Sequence, residues 1–297
     1  MVLSIRRLQE MVKNVRSNPH PIKFVIGYFL YNSHLCVFLK FRVGNSILRF
    51  FPSKLSWLLW TDPTLYDDEL DFIKRYLVRG NMVVDIGANI GIITLSVSDI
   101  VSNNGIVYSI EPNPKTFEYL KGNIKENQFS NIRVFQLAIG EKEAVTTFNS
   151  DSSDDLSNSL SLENMNSENS TVIQIKPLDE IIPKNTWIHL LKIDVEGFEI
   201  FVLKGAKRCL SMTDCIYIES YEVHFNKYGY SSLDLFNYMR LNGFKILKMS
   251  GENTLNEISP DYLSLTCENI IAVKDIVSFI AKTHYQINML EGRYDEI

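Results

Sequence analysis

Residues 83–94, VVDIGANIGIIT, decide the fold of this chain. The apolar residues predict a buried strand, and Gly87 and Gly91 predict a turn that leads directly into a helix. Glycines let the backbone pass close to a ligand where a Cβ atom would collide, and the first turn of the helix offers unpaired N–H groups. The stretch therefore predicts a strand–turn–helix unit of an open α/β sheet, with a nucleotide-like ligand at the turn.

A carboxylate follows the next predicted strand. Residues 105–110, GIVYSI, lead into Glu111, twenty residues after Gly91. At this position of such a unit, a carboxylate can accept hydrogen bonds from both hydroxyls of a ribose. The turn lacks the G-x-G-x-x-G spacing that a dinucleotide pyrophosphate needs, and Asp85 would repel phosphate but attract an amine. A ligand with a ribose and an ammonium group but no phosphate fits, and S-adenosylmethionine is such a ligand.

The next strand ends also have short or polar residues. The exit from Glu111 is rigid, because Pro112-Asn113-Pro114 cannot continue a strand and can shape one wall of an adenine slot. A third strand over 132–137 is followed by small residues that leave room for a flat ring, and a fourth strand over 188–193 is followed by acids. The ends of parallel strands lie along one edge of a sheet. The chemistry is therefore expected to collect at Asp85, Glu111, Ala138, Asp194 and Glu196.

Five motifs occur in a fixed order along the chain: DIGANIG (85–91), EPNP (111–114), LAIG (137–140), LLKIDVEGFEIFVLKGA (190–206) and IYIES (216–220). Together they resemble the FkbM-type family of S-adenosylmethionine-dependent methyltransferases, over roughly residues 62–275. The resemblance implies a doubly wound, Rossmann-like, seven-stranded and mostly parallel sheet with an antiparallel last strand, the class I methyltransferase fold. It also implies O-methylation of a hydroxyl on a sugar, a glycan or a related small molecule.

The same resemblance assigns roles to residues of this chain. The residues of the glycine turn would surround the methionine part of the cofactor, Glu111 the ribose and Ala138 the adenine, while Asp194 and Glu196 would face the methyl group and the acceptor. The predicted cofactor-binding residues are Asp85, Gly87, Asn89, Gly91, Glu111, Pro112, Asn113, Ala138 and Asp194.

Methyl transfer to a sugar hydroxyl calls for a general base, because a free hydroxyl is a poor nucleophile at neutral pH. Glu196 is the first candidate, since it follows the fourth strand closely. His224 is the second, because it lies just beyond a fifth predicted strand at 215–219. Asp194 can serve as base, as partner of the cofactor's amine or as a ligand of a divalent ion such as Mg²⁺. The sequence shows no further metal-ligand cluster, so metal dependence stays open.

A helix is predicted over 68–77, directly before the glycine turn, with acids early and bases late as the helix dipole favours. In enzymes of this shape such a helix often closes over the cofactor. Tyr66 and Glu69 are therefore possible contacts, although a carboxylate in the first turn of a helix equally explains Glu69.

Two other classes of protein stay open. A nicotinamide-dependent oxidoreductase would also use Glu111, but it would need the dinucleotide glycine spacing that is missing here. A non-catalytic, cofactor-binding scaffold with a membrane-associated N-terminus would keep the fold but is expected to lose its acidic strand ends, which are all present. Equilibrium binding of NAD against S-adenosylmethionine separates the first alternative from a methyltransferase.

Composition indicates a folded enzyme with an uneven charge. The chain has 297 residues, of which 45% are hydrophobic and 22% charged, enough for one sizeable core. Residues 1–60 hold nine Lys and Arg against one Glu, a balance of +8, so the net charge of −5 leaves −13 for the remainder. An acidic catalytic body excludes a typical nucleic-acid enzyme. The four cysteines show no C-x-x-C pair, which favours reduced thiols in a cytosolic setting.

The chain is predicted to divide into a basic, apolar N-terminal extension (1–61), a methyltransferase domain (62–275) and a C-terminal tail (276–297). Within the extension, alternating residues around Gly44-Asn45 predict a β-hairpin over 37–50. Within the domain, residues 149–170 hold eight Ser, five Asn and five acids and predict a flexible insertion. Strand patterns of one sheet are expected on either side of it. A solvated surface loop is favoured there over a lid on the acceptor site.

The extension contains an apolar, aromatic run over 24–39 that is broken by polar residues at 32–34. The run is marginal for a membrane-spanning helix, and it lacks the cleavage site of a secretory signal. One interpretation is an element that lies on an anionic membrane or docks to a partner; the other, slightly favoured, is an ordinary extension of core and sheet. The protein is expected in the cytoplasm, with peripheral contact at the inner membrane surface as the alternative.

Overall fold

The computed structural model describes residue 15 and residues 18–149 and 170–290. Its N-terminal part consists of helix α1 (Pro21–Asn32), a 3-10 turn (Leu35–Phe38), the hairpin β1 (Lys40–Val43) and β2 (Ser46–Arg49), and helix α2 (Lys54–Thr61). The predicted hairpin is present, but its first arm begins only at Lys40, because the residues before it form the 3-10 turn.

A regular alternation of helices and strands follows. The elements are α3 (Asp67–Tyr76), β3 (Met82–Ile86), α4 (Ile92–Val101), β4 (Ile106–Ile110), α5 (Pro114–Asn127) and β5 (Ile132–Phe135). All five residues of β3 are buried, as expected of a strand in the middle of a parallel sheet covered on both faces.

A small second sheet interrupts this pattern. It contains β6 (Ala138–Ile139), β7 (Ala144–Asn149) and β8 (Ser170–Lys176) in the spatial order β6-β8-β7. Strands β7 and β8 are antiparallel, so the segments on either side of the predicted insertion pair with each other and form no part of the main sheet. Residues 150–169 of the insertion lie outside the part of the chain that the structure describes.

The alternation resumes with α6 (Leu178–Ile181), β9 (Ile188–Ile193), α7 (Glu199–Lys204), α8 (Lys207–Ser211), β10 (Thr213–Ser220), α9 (Glu222–Asn226) and α10 (Ser232–Leu241). The remaining elements are β11 (Lys245–Gly251), β12 (Thr254–Glu257), β13 (Glu268–Val273), α11 (Ile276–Thr283) and β14 (Gln286–Asn288). Helix α10 starts at a capping box in which the side chains of Ser231 and Asp234 bind each other's backbone N–H groups.

The main sheet has nine strands in the order β14-β12-β11-β13-β10-β9-β3-β4-β5. Strands β3, β4, β5, β9 and β10 are parallel, and β13 is antiparallel to both of its neighbours. This confirms the doubly wound, mostly parallel sheet, in which β13, the strand predicted to be the last, is antiparallel. Strand β14 follows it in the chain and is parallel to β12. The predicted count of seven is too low, because β12 and β14 extend the sheet beyond β11. The segment predicted as a C-terminal tail therefore contributes strand β14 (Gln286–Asn288) to the sheet.

Helices cover both faces of the sheet. On one face α2, α3, α4 and α11 contribute the buried side chains of Leu59, Phe72, Leu95 and Phe279. On the other face α7, α8 and α10 contribute residues such as Leu203, Leu210 and Phe236. Among the described residues, no helix has the length and apolar character needed to cross a lipid bilayer. The layers bury the sheet and leave the carboxyl ends of its parallel strands open at one edge.

Candidate active site

A pocket of about 240 Å³ lies at the carboxyl ends of β3, β4, β9 and β10. One part of its wall is apolar, and the other carries carboxylates. The apolar wall consists of Ile86, Ile110, Pro112, Leu137, Ala138, Ile139, Val195 and Phe198, and the acidic side chains are Glu111, Asp194, Glu196 and Glu219. The strand ends that the sequence singled out are thus brought to one place.

Glu111 lies at the end of β4 and is held rigidly. Its Oε2 accepts a hydrogen bond from the backbone N–H of Asn89, and its Oε1 accepts one from that of Asn113, both at 2.9 Å. Burial raises the pKa of Glu111 to about 7, although these two hydrogen bonds act in the opposite direction. Asn113 lies behind this carboxylate, where its side chain also caps helix α5.

The turn between β3 and α4 needs its glycines for contacts within the protein. Gly87 has φ +80°, and a Cβ atom there would lie 1.7 Å from the carbonyl oxygen of Asp194. Gly91 has φ +95°, and its Cβ would lie 2.6 Å from Cδ1 of Leu120. The sequence predicted that ligand approach requires these glycines, but the atoms in the way belong to neighbouring strands and helices. Gly87 and Asn89 line the pocket and Gly91 does not.

Asp85 is fully buried and lies behind the pocket wall. Its Oδ2 accepts a hydrogen bond of 2.6 Å from the Thr94 hydroxyl, and its Oδ1 lies 3.6 Å from Nζ of Lys192. Asp85, which the sequence assigned to the ligand's amine, makes its contacts inside the protein and does not line the pocket. Its position in the buried strand β3 turns the carboxylate into the protein.

Lys192 is a central residue of the site that the sequence reading missed. Its ammonium group is buried between Asp194 at 3.2 Å, the carbonyl oxygen of Gly87 at 3.3 Å and Asp85 at 3.6 Å. Burial lowers the pKa of Lys192, but the surrounding carboxylates, led by Asp194 and Asp85, outweigh it and hold that pKa above its usual range. A lysine that follows Leu190 and Leu191 in strand β9 and precedes Ile193 was the available signal.

Glu196 projects into the pocket from a backbone with φ +55°, a left-handed conformation that is uncommon outside glycine. Burial, with a second contribution from Asp194, raises its pKa to about 7. Nδ1 of His224 lies 3.2 Å from Oε2 of Glu196. Burial, together with Lys227, lowers the pKa of His224 below its usual value, which favours the neutral imidazole. The two predicted base candidates therefore form one pair.

Glu219 lies beside Glu196 and His224 and was not among the predicted site residues. These three residues form the acidic corner of the pocket. Burial, together with Asp194 and Glu196, raises the pKa of Glu219 to about 8, and its Oε1 accepts a hydrogen bond from the thiol of Cys267. One ligand atom each from Glu196, Glu219 and His224 lies within 4.8 Å of the others, a donor set that a divalent cation accepts. Asp194, which the sequence offered as base, as partner of the cofactor's amine or as metal ligand, is paired with Lys192 and is not part of this donor set.

The residue that caps the N-terminus of the helix before the glycine turn lies at the pocket. Tyr66 lines the pocket directly in front of α3. Glu69 lies deeper, where its Oε1 accepts a hydrogen bond of 2.9 Å from the Asn269 amide. Its buried Oε2 has no hydrogen-bond partner among the described residues, and burial raises the pKa of Glu69 to about 7.

The pocket has the groups that S-adenosylmethionine needs. Glu111 offers two carboxylate oxygens at the end of β4 for a ribose diol, and the apolar wall around Ala138 and Pro112 suits a flat base. Asp194 offers a carboxylate for an ammonium group. The predicted ligand and the residues present therefore agree in chemistry.

Comparison with known proteins identifies the family. The sequence matches the family described as the methyltransferase FkbM domain over residues 85–246, which is more than half of the chain. Similar solved structures include the methyltransferase FkbM from Methylobacillus flagellatus KT, at 19% identity and a TM-score of 0.45, covering 73% of this chain and 53% of that one. Another is a SAM dependent methyltransferase from Aquifex aeolicus, at 15% identity and a TM-score of 0.41, covering 72% and 94%.

This chain thus spans about half the length of the Methylobacillus protein. No curated protein matches it. The family match begins at Asp85 and includes the glycine turn, Glu111, the Lys192 network and the acidic corner, which the structure brings together at one edge of a doubly wound sheet. The chain therefore belongs to the FkbM methyltransferase family and has the class I methyltransferase fold.

Proposed function

We propose that the protein transfers the methyl group of S-adenosylmethionine to a hydroxyl group of a sugar, a glycan or a related small molecule. The observation that carries this proposal is Glu196, a carboxylate on the pocket wall whose pKa is about 7 and whose neighbour is the His224 imidazole. A base of this strength at the methyl-transfer edge of the sheet suits an acceptor that must lose a proton.

Cofactor binding is assigned to the fixed part of the pocket. Glu111 would accept hydrogen bonds from the ribose hydroxyls, and its two bonds to backbone N–H groups hold it in place without reorganisation. Asp194 would face the ammonium group, and Lys192 sets the position of that carboxylate. When bound, S-adenosylmethionine supplies an electrophilic methyl group together with its own leaving group.

Proton removal is assigned to the acidic corner. A carboxylate with a pKa of about 7 is half ionised at neutral pH, so Glu196 can accept the acceptor's hydroxyl proton and release it again at the same pH. The His224 imidazole lies 3.2 Å from the Glu196 carboxylate and can take the proton onward to solvent. A positioned base of this kind contributes roughly a hundredfold or more to the rate.

The charge of the pocket favours a neutral, hydroxyl-rich acceptor. Glu196 and Glu219 both line the pocket, and carboxylates accept hydrogen bonds from hydroxyl groups. Their pKa values of about 7 and 8 leave only a fraction of the two carboxyls ionised at pH 7, and that fraction repels phosphate-rich acceptors such as nucleic acids. A polyhydroxylated molecule therefore fits this wall better than a nucleotide chain.

The direct test is transfer of label from methyl-labelled S-adenosylmethionine to fractionated cell extract. We expect label in a glycan, glycolipid or sugar fraction and a strong loss of transfer with Glu196→Gln. Glu118→Gln, which removes a carboxylate from the exposed surface of α5, is the matched control and should transfer normally. Label that appears only in protein or nucleic acid, or cofactor binding with no transfer to any fraction, would overturn the proposal.

A further inference from the structure

Helix α1 has two apolar stripes on opposite faces, and the inner stripe attaches the helix to α2. The ring of Trp57 lies 4.5 Å from that of Phe24 and 5.4 Å from that of Tyr28, and its Nε1 donates a hydrogen bond to the Phe24 carbonyl. Gly27 sits between them, where a Cβ atom would lie 2.6 Å from Cδ1 of Trp57. These contacts explain how the helix is held against the domain.

The outer stripe of α1 has no such role. Ile22, Val25, Ile26 and Phe29 follow the spacing of one helix face and are 77%, 40%, 48% and 63% exposed. The 3-10 turn after the helix adds Phe38, which is 82% exposed. Single exposed apolar residues are common on protein surfaces, but a continuous apolar stripe indicates an interaction site.

The part of the chain that carries this outer stripe is basic. From residue 11 to residue 61 the chain contains no Asp or Glu, and Lys23 and Lys40 flank the stripe along the sequence, of which Lys40 is ion-paired with Glu126 of α5. Two copies of this face would place positive charge against positive charge, which disfavours a symmetric dimer through α1. A partner with an anionic surface matches the basic residues of this part of the chain. If that partner also has an apolar layer, it can accept the exposed apolar side chains of the outer stripe.

We propose that the outer stripe of α1, with Phe38, docks the protein on the surface of an anionic lipid bilayer. Twelve helical residues extend for about 18 Å, which is shorter than the hydrocarbon core of about 30 Å, so the helix lies in the interface plane. The apolar side chains enter the boundary between headgroups and acyl chains, and the basic residues contact anionic headgroups. The inner stripe keeps its contacts with Trp57 in this arrangement.

Sedimentation of the purified full chain with lipid vesicles tests the proposal without cofactor or acceptor, so its result is independent of the proposed methyl transfer. We expect the protein to sediment with vesicles that contain phosphatidylglycerol at low salt and to be partly released at high salt, because salt screens the headgroup charges. It should stay in the supernatant with vesicles of phosphatidylcholine alone.

The double variant Ile22→Ser/Phe29→Ser removes the two most exposed side chains of the outer stripe in α1 and should lower the partition coefficient by about tenfold or more. Leu241→Ser, which changes an 87% exposed residue at the end of α10, is the matched control and should sediment as wild type. An unchanged melting temperature shows that both variants are folded.

Three results would overturn the proposal. One is wild-type protein that stays in the supernatant with anionic vesicles at low salt. Another is a folded Ile22→Ser/Phe29→Ser variant that sediments as wild type does. The third is a dimer of the wild-type chain that this double variant abolishes in solution, which would assign the stripe to a second copy.

Discussion

Replacing Glu111 by Gln is expected to weaken S-adenosylmethionine binding by about tenfold or more. The change keeps the size of the side chain but removes its negative charge and one of its two acceptor oxygens. A hydrogen bond to a charged group is worth about 1.5–3 kcal/mol, and the loss of one such bond to the ribose corresponds to roughly 10- to 150-fold in affinity. The remaining acceptor oxygen can serve only one of the Asn89 and Asn113 backbone N–H groups, so the variant also loses rigidity.

The pKa of Glu111 adds a pH signature to this prediction. With a pKa of about 7, the carboxyl is ionised in about one molecule in ten at pH 6 and in about nine in ten at pH 8. If the ionised form binds the ribose, the affinity ratio of wild type to Glu111→Gln should grow by up to about tenfold between these pH values. Taking the ratio cancels the titration of the ligand's own amine, which both proteins share.

Isothermal titration calorimetry with S-adenosylmethionine and with its demethylated product, at pH 6, 7 and 8, measures both effects. Glu118→Gln carries the same charge change on the neighbouring helix α5 and should bind as wild type does. A folded Glu111→Gln protein with wild-type affinity at pH 8 would refute the assignment of the ribose to Glu111. A ratio that does not change with pH would refute the role of its ionised form.

Three further outcomes are expected. Glu196→Gln should lower turnover about a hundredfold while changing cofactor affinity less than twofold, and a variant with normal turnover would place the base elsewhere. The rate of the wild-type enzyme should rise with pH through about 7. Gly87→Ala should lower the free energy of unfolding by more than about 3 kcal/mol, because its Cβ atom would collide with the carbonyl of Asp194. Gly80→Ala, at φ +89° with no neighbour within 4 Å, should lower it by only about 1–2 kcal/mol. Equal losses of the two variants in chemical denaturation would contradict this. The melting temperature should fall as pH rises from about 5 to 7.5, because buried carboxyls such as Glu199 have folded-state pKa values of about 7 against an ordinary value of 4.5 in the unfolded chain. Over this window the folded state binds more protons than the unfolded state, so the stability that the protonated carboxyls contribute is lost as pH rises through the folded-state value; scanning fluorimetry at matched ionic strength that shows a rise would contradict this.

The different surroundings of Asp85 and Asp194 follow from their positions along the strands. Asp85 is one residue short of the end of β3, so its side chain meets Thr94 of α4 and Lys192 of β9 inside the protein. Asp194 comes one residue after the end of β9 and reaches the pocket. The buried lysine lies between the two carboxylates and compensates their charge, which offsets the free-energy cost of burying Asp85.

Local sequence patterns were sufficient to predict the elements whose conformation depends on neighbouring residues. The apolar residues and the two glycines of 83–94 predict β3, the turn and α4, because the spacing of apolar residues differs between strands and helices. The placement of Glu111, Ala138 and Glu196 along one pocket also followed, since the ends of parallel strands must share an edge. The antiparallel strand β13 was expected from the family resemblance.

The tertiary structure decided everything that depends on partners distant in the chain. Strands β12 and β14 are short, and only the pairing of β12 with β11 and of β14 with β12 makes them part of the sheet. The requirement for Gly87 comes from a carbonyl more than a hundred residues away.

The same holds for the chemistry. The pKa values of Glu111 and Glu196 come from burial that the folded chain imposes, and the pairing of Glu196 with His224 comes from the contact between the loop after β9 and helix α9. Sequence alone placed acids at the strand ends, and it could not say which acid faces the pocket and which faces Lys192. The physical reason is that a carboxylate's role depends on the dielectric and the charges around it, and both are set only when the strands assemble.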